Sequence, residues 1–293
     1  MSDKIAAMEL GGTKTVVALG DDQGRLLEEF RYPTTTPEET MAVAVAWWRE
    51  RASFDRLGIG SFGPIRVDVT ARDYGTFLTT PKLAWQGFSL SAFVREHLPG
   101  VRLFLDTDVQ AALLAEMTYG AARGVKDALY LTVGTGIGAG IASGGRLVHG
   151  ALHPEMGHLL VRRHPEDSFA GVCPYHGDCW EGLASGPAMA QRWGAAAHTL
   201  PSDHPAWEME AFYLAQGLYA ACAMVSPQRL ILGGGVSQAE GLLEKVSVWM
   251  DRFSQGYFES LGARVVAPVL GQQAGIVGAI QLALCGDKEM LLS

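Results

Sequence analysis

Asp106-Thr107-Asp108 stands where the apolar run VRLFL gives way to the helix-like run VQAALLAE. A carboxylate at such a junction can take the proton of an attacking hydroxyl. It can equally cap the helix, because aspartate is a preferred capping residue, and residue type alone favours the cap. Three glycine clusters each follow an apolar run: Gly11-Gly12-Thr13-Lys14, Gly134-Thr135-Gly136 and Gly233-Gly234-Gly235. Backbone without side chains presents N–H groups to phosphate oxygens, and neighbouring hydroxyls add donors. The third cluster offers bare backbone for a base or ribose. One Gly-Gly hairpin is an ordinary tight turn, but three clusters behind strands point to a nucleotide. Glu9, just before the first cluster, can hold Mg²⁺ through water or simply face solvent.

Cys173, His176 and Cys179 lie at C-x₂-H-x₂-C spacing in a turn-rich stretch, which suits tetrahedral Zn²⁺. His149, His153, His158 and His164 are all candidates for the fourth ligand, and unligated cysteines among solvated histidines are the alternative. Four protein ligands leave no open position, so such an ion shapes the loop rather than activating water. Cys222 and Cys285 fall on apolar helical faces and read as core.

The elements that must position these residues follow from pattern. IAAMEL, TVVALG and RLLEEFRY, separated by Gly11–Lys14 and Asp21–Gly24, predict an antiparallel meander. Thr36-Pro37-Glu38-Glu39 opens a helix through Arg51, with proline and acids where the first turn favours them. LGIGSFGP, a helix near Ser89–His97, the strand VRLFL and a helix over Thr107–Gly120 continue as α/β units. Strand 128–133 with its glycine hairpin then repeats the plan of the N-terminus, which predicts a duplicated fold. Helices are expected at 186–197, 207–225, 239–253 and 274–284, with the strand RLILGGGV between the second and third.

Length and composition narrow the function. A chain of 293 residues, 48% hydrophobic, can bury a large core and divide into two lobes with a cleft. A formal charge of -8 lacks the basic footprint of a nucleic-acid partner. The uncharged run Ala128–Gly145 contains six glycines and reads as a hairpin rather than a membrane span. With no signal-like leader before Ile5 and few cysteines, the expected address is the reducing cytoplasm. No G-x-x-x-x-G-K-[ST] and no H-R-D loop occurs, which excludes two common nucleotide folds.

Together these motifs resemble the ROK family (repressors, open reading frames, kinases), and within it the zinc-containing bacterial fructokinases. MELGGTKTVVALG resembles the first phosphate hairpin, LDTDVQAALLAE the catalytic junction and VGTGIGAGI the second phosphate hairpin. PEMGH is similar to the sugar and zinc motif, CPYHGDCWEGLASGP to the cysteine-rich signature and LILGGGV to the adenosine segment. The resemblance implies a two-lobed, duplicated ribonuclease H-like α/β fold of the actin/hexokinase type with an active-site cleft. One lobe would comprise residues 1–112 plus 274–293, the other 113–273 with the zinc loop.

The same resemblance implies an ATP-dependent hexose kinase using Mg²⁺ and structural Zn²⁺, with Asp108 as general base. It places Glu9, Gly11, Gly12, Thr13, Lys14, Gly134, Thr135, Gly136, Gly186, Pro187 and Gly233 to Gly235 around the nucleotide. Gly63, Thr107, Asp108, Glu155, His158 and Glu181 would meet the sugar, and His158 would complete the zinc set with Cys173, His176 and Cys179. Glu9 and Thr107 depart from the wider family, which mostly has Asp and Asn there. These departures, with His176 in place of a cysteine and with SFGPI and Thr79–Trp85 (TTPKLAW), resemble the fructokinase branch, so fructose is the expected sugar and a homodimer the expected assembly. A kinase for glucose, mannose or an N-acetylhexosamine is the alternative. A ROK repressor is disfavoured because the sequence starts at the first strand and is acidic, and a sugar-binding protein without catalysis is disfavoured by Asp108 and both hairpins.

Overall fold

The computed structural model describes residues 4–285, so residues 1–3 and 286–293 of the expected N-terminal lobe lie outside the described residues. In chain order the elements are β1 (Lys4–Leu10), β2 (Lys14–Asp21), β3 (Leu26–Pro33), α1 (Pro37–Arg49), β4 (Arg56–Ser61), α2 (Leu90–His97), β5 (Arg102–Thr107) and α3 (Asp108–Tyr119). They continue with β6 (Ala128–Val133), β7 (Ile137–Ser143), β8 (Arg146–Leu147), α4 (Trp180–Ala184), α5 (Gly186–Trp193), α6 (Ala206–Val225), β9 (Arg229–Gly233), α7 (Leu242–Ser254), β10 (Val265–Val266) and α8 (Ala274–Cys285).

The chain forms two compact units. The first holds the residues up to Thr118, Leu147–His153 and the segment from Gln272; the second holds Tyr119–Arg146 and Pro154–Gly271. Each is built on a five-stranded sheet, ordered β3-β2-β1-β4-β5 in the first and β10-β9-β6-β7-β8 in the second. In the first, β1 pairs antiparallel with β2 and parallel with β4, and β4 pairs parallel with β5. In the second, β6 pairs antiparallel with β7 and parallel with β9. The plan of a hairpin extended by parallel strands is thus used twice, as the repeated strand-glycine-strand pattern predicts.

Period-two alternation divides the first sheet between two cores. Ile5 and Ala7 of β1 face Ile276, Ala279 and Ile280 of α8, while Ala6, Met8 and Leu10 face the core that holds Met41, Ala44 and Trp48 of α1. Helix α8 comes so close that a side chain at Gly58 would strike the carbonyl oxygen of Ala279, so glycine is needed in β4. At the edge of that sheet lies β3, whose one exposed charge is Glu28 and whose Glu29 and Arg31 pair with each other at 2.8 Å. Thr36 caps α1 by accepting from the Glu39 N–H at 3.4 Å, with Pro37 in the first turn.

Two helices differ from their expected spans by three residues or more at one end. The segment over 186–197 stops at Trp193 because Gly194 adopts φ 70°, a left-handed cap. The 239–253 helix starts only at Leu242, after a short 3₁₀ turn at Val236–Gln238. Among the described residues no helix is long and apolar enough to cross a membrane.

Candidate active site

In the first unit, strand register gathers the predicted residues at one edge. Leu10 pairs with Ser61 and Ser61 with Thr107, so the chain leaves β1, β4 and β5 at a common level. The hairpin Gly11–Lys14, Gly63 and Asp108 all follow within a few residues, at the carboxyl ends of parallel strands where open α/β sheets take their ligands. Gly63 follows Phe62, whose N–H donates to the Leu10 carbonyl at 2.8 Å, and its own carbonyl accepts from Thr80 Oγ1 at 3.5 Å. The Gly63-Pro64 peptide is cis.

The junction resolves the two roles open to Asp106-Thr107-Asp108. Thr107 Oγ1 accepts from the Gln110 N–H at 3.2 Å, so threonine supplies the helix cap that residue type assigned to aspartate. Asp108 Oδ1 accepts from the next N–H, that of Val109, at 2.9 Å. Asp106, 4% exposed, accepts from the Thr107 N–H with Oδ1 and meets His149 Nε2 at 2.8 Å with Oδ2. That hydrogen bond raises the His149 pKa above its ordinary value, with burial opposing. Val148 accepts from Gln110 Nε2 at 2.9 Å and His153 Nε2 accepts from the Ile65 N–H at 3.2 Å, which fixes Leu147–His153 to the first unit.

The first hairpin is held from outside by one residue. Thr34 donates its hydroxyl to the Gly11 carbonyl at 2.8 Å and its N–H to the Thr13 carbonyl at 3.0 Å. Gly11 N–H closes the turn on the Lys14 carbonyl at 3.1 Å. At its base Glu9 Oε2 is buried without a hydrogen-bond partner among the described residues. Burial raises the Glu9 pKa, opposed by Lys14 and Arg31. Its carboxyl packs against Gly275 in the first turn of α8, where a helix N-terminus favours negative charge.

In the second unit, Thr132 pairs with Gly233, so Gly134–Gly136 and Gly233–Gly235 leave the sheet at one level as well. Gly234, with φ 92°, crosses directly over the Val133 backbone, a conformation and an approach that only glycine permits. Gly186, at the start of α5 beside Pro187, donates its N–H to the Gly134 carbonyl at 2.8 Å. All three glycine segments of this unit therefore meet, and Thr135 sits at the tip of the hairpin. Glu181 Oε2 accepts from the Ile137 N–H at 2.8 Å, so a sugar-ligand candidate is bound to the same hairpin. Glu155 lies near enough to Glu181 that burial first, and the neighbouring charge second, push its pKa up to about 7.

His158, Cys173, His176 and Cys179 form a cluster whose ligand atoms all lie within 4.8 Å of one another. Cys173 Sγ is 3.8 Å from His158 Nδ1 and 3.7 Å from His176 Nδ1, and Cys179 Sγ is 3.6 Å from His158 Nδ1. Zinc bonds of the usual lengths put neighbouring ligands of a tetrahedron roughly 3.5 Å apart, so this donor set fits Zn²⁺. The loop is built for it: Cys173 and Gly177 exchange N–H···O bonds at 3.2 and 2.9 Å, and Leu160 bridges to Cys179. Trp180 anchors the loop by lying against Gly217 of α6. The other three histidines are engaged elsewhere: His149 with Asp106, His153 with Ile65, and His164 Nδ1 as acceptor from the Glu166 N–H at 3.3 Å.

Sequence patterns alone did not single out Lys82. Its side chain lies on Gly12, with Cε 2.9 Å from where a β-carbon there would stand. The run TTPKLAW was the available signal, since it places a lysine between two buried residues, Thr80 and Trp85.

The ROK family pattern matches residues 5–285. The fructokinase of Zymomonas mobilis is 41% identical over 292 residues, covering 96% of this chain and 97% of its own. That of Pediococcus pentosaceus is 38% identical over 287 residues, covering 97% and 99%. Among solved structures, the ROK family glucokinase from Streptomyces griseus in complex with glucose and AMPPNP matches with a TM-score of 0.78 at 26% identity, over 97% of this chain and 100% of its own. With two sheets of one plan, glycine hairpins at corresponding edges and likeness along nearly its whole length, this chain belongs to the ROK family.

Proposed function

We propose that the protein is an ATP-dependent fructokinase, converting D-fructose and ATP to fructose 6-phosphate and ADP. The observation that carries this is the position of Asp108: it opens α3 at the carboxyl edge of the first sheet while Thr107 makes the cap. End-to-end identity of 41% to the Zymomonas mobilis fructokinase favours fructose.

Asp108 is the general base. The C6 hydroxyl oxygen attacks the γ-phosphorus, the bond from that phosphorus to the bridging oxygen of ADP breaks, and the hydroxyl proton passes to the Asp108 carboxylate. Gly63, Thr107, Glu155, His158 and Glu181 are the residues assigned to orienting the hexose for in-line attack. His158 turns Nδ1 toward the two sulfurs, so Nε2 is the atom it offers to a sugar hydroxyl. Gly11 to Lys14 and Gly134 to Gly136 receive the phosphates, and Gly186, Pro187 and Gly233 to Gly235 the rest of the nucleotide. Glu9, with its partnerless buried oxygen, would hold the Mg²⁺ that neutralises the phosphates. His158, Cys173, His176 and Cys179 would hold Zn²⁺, which stiffens the loop that carries His158. The enzyme works in the cytoplasm as a homodimer, an assembly that sedimentation would test.

ADP release measured across fructose, mannose, glucose and N-acetylhexosamines tests the assignment. Fructose gives the highest kcat/KM. Another hexose leading the panel overturns fructose; no sugar-dependent ADP release overturns the kinase. A glucose kinase is the second reading, favoured by the likeness to the Streptomyces griseus enzyme.

A further inference from the structure

We propose that Lys82 is the cation that receives the terminal phosphoryl group of the nucleoside triphosphate at the first hairpin. This role rests on the kinase activity proposed above and adds a phosphate-binding residue to it.

Lys82 stands just before the short 3₁₀ turn Leu83–Trp85, far in sequence from Gly12. Its stem nevertheless lies on that glycine, and its ammonium is 6.0 Å from the centre of the Phe62 ring. Half-buried and amphipathic, the side chain covers apolar surface with its methylenes and brings its charge to the hairpin. Among the described residues no carboxylate forms an ion pair with it. An ammonium without a counter-ion, 3.8 Å from where a β-carbon on Gly12 would stand, makes a site for an anion at the hairpin.

The position is fixed through neighbours rather than through a counter-ion. Lys82 N–H donates to Thr80 Oγ1 at 3.4 Å, and the Lys82 carbonyl accepts from the Trp85 N–H at 2.8 Å. Trp85 is 1% exposed, packs edge-on to Phe62 and Phe77, and donates its indole N–H to the Thr35 carbonyl at 2.9 Å. Thr35 follows Thr34, whose hydroxyl and N–H hold the hairpin. Hairpin, Thr34-Thr35, Trp85 and the Lys82 backbone are thus linked by consecutive bonds, and the side chain runs from that fixed point across Gly12. Preorganised positive charge of this kind counts most where negative charge moves during phosphoryl transfer.

The test compares Lys82→Met and Lys82→Arg with the wild-type protein in Mg²⁺ buffer. Lys82→Met lowers kcat for the best sugar of the panel by about 10²–10³-fold with its KM changed less than about threefold. Lys82→Arg, which keeps the charge, recovers at least about tenfold of that loss. Calorimetry with ATP and ADP gives a second readout: the methionine variant loses the wild-type preference for the triphosphate. Its Tm stays within about 2 °C of wild type or rises, because an unpaired cation has been removed from a half-buried place.

A methionine variant with kcat within about threefold of wild type overturns the proposal, as does a kcat loss that arginine does not relieve at all. If the wild-type protein phosphorylates no sugar, the kinase assignment has failed separately and the ATP-to-ADP affinity ratio alone decides: an unchanged ratio sinks Lys82, a collapsed one upholds it. If methionine prevents folding, Lys82→Gln replaces it in the same comparison.

Discussion

The two glycine hairpins occupy the same place in two sheets of the same plan and are furnished in opposite ways. Around Gly11–Lys14 stand ionisable groups: Lys14 in the turn, Lys82 laid on Gly12, and Glu9 buried at its base. Around Gly134–Gly136 stands mostly backbone: the Gly186 N–H on the Gly134 carbonyl and Gly234 across Val133, with Glu181 as the acid bonded to the turn. A repeated scaffold therefore does not imply a repeated task. Under the proposed function, the first edge would manage moving charge and the second would fix the pose of what it binds.

Substitutions in the two edges should separate rate from binding. The largest effect is expected from Asp108→Asn, which lowers kcat by about 10²–10⁴-fold while calorimetric affinities for ATP and fructose stay within about threefold. Wild-type turnover in that variant would end the claim that the first edge carries the chemistry. Removal of the metal acts on the second unit. Elemental analysis should find about one zinc per chain, and its extraction by chelator should raise the fructose KM about tenfold and lower Tm while the ATP KM holds. Protein purified without chelator that contains no zinc would refute this.

Gly186→Ala would place a β-carbon 2.8 Å from the Gly134 carbonyl oxygen. Crowding of that kind costs about 1–3 kcal/mol, and it should raise the ATP KM without a matching fall in kcat. A fall in kcat alone would blur the distinction between the edges. The smallest effect concerns His149. Its folded pKa lies above the ordinary 6.5 because of Asp106, so the pair stabilises fully below about 6.5 and the contribution disappears as pH rises through the folded value. The Tm gap between wild type and His149→Gln should be wider at about pH 6 than at about pH 9, and a gap independent of pH would exclude the linkage.

Features written in local spacing were legible in the sequence. Cys173, His176 and Cys179 lie within one loop, so their spacing marks a cluster that could hold a metal. The fourth member, His158, is separated from them by a stretch that only the Leu160 to Cys179 bridge folds back, and spacing could not choose it over His149, His153 or His164. Helix α1 was readable from Thr36 and Pro37 because capping is a matter of neighbouring residues. At the junction of β5 and α3 the same rules favoured aspartate as the cap, yet Thr107 makes it, because the choice depends on how the backbone turns out of β5. The burial of Glu9 depends on Gly275 of α8, and the placement of Lys82 depends on the indole of Trp85 reaching Thr35. Contacts between residues so far apart in the chain leave no periodic mark.

The packing of α8 on β1 and β4 also has a consequence for biosynthesis. Strands β1 and β2, with Ile5, Ala7, Val16 and Ala18 on one face, find their covering helix only when residues 274–285 have been translated. The second unit, nearly continuous in the chain, is translated almost entirely before that helix. The nascent first sheet thus waits, one greasy side bare, through most of the translation of its own partner.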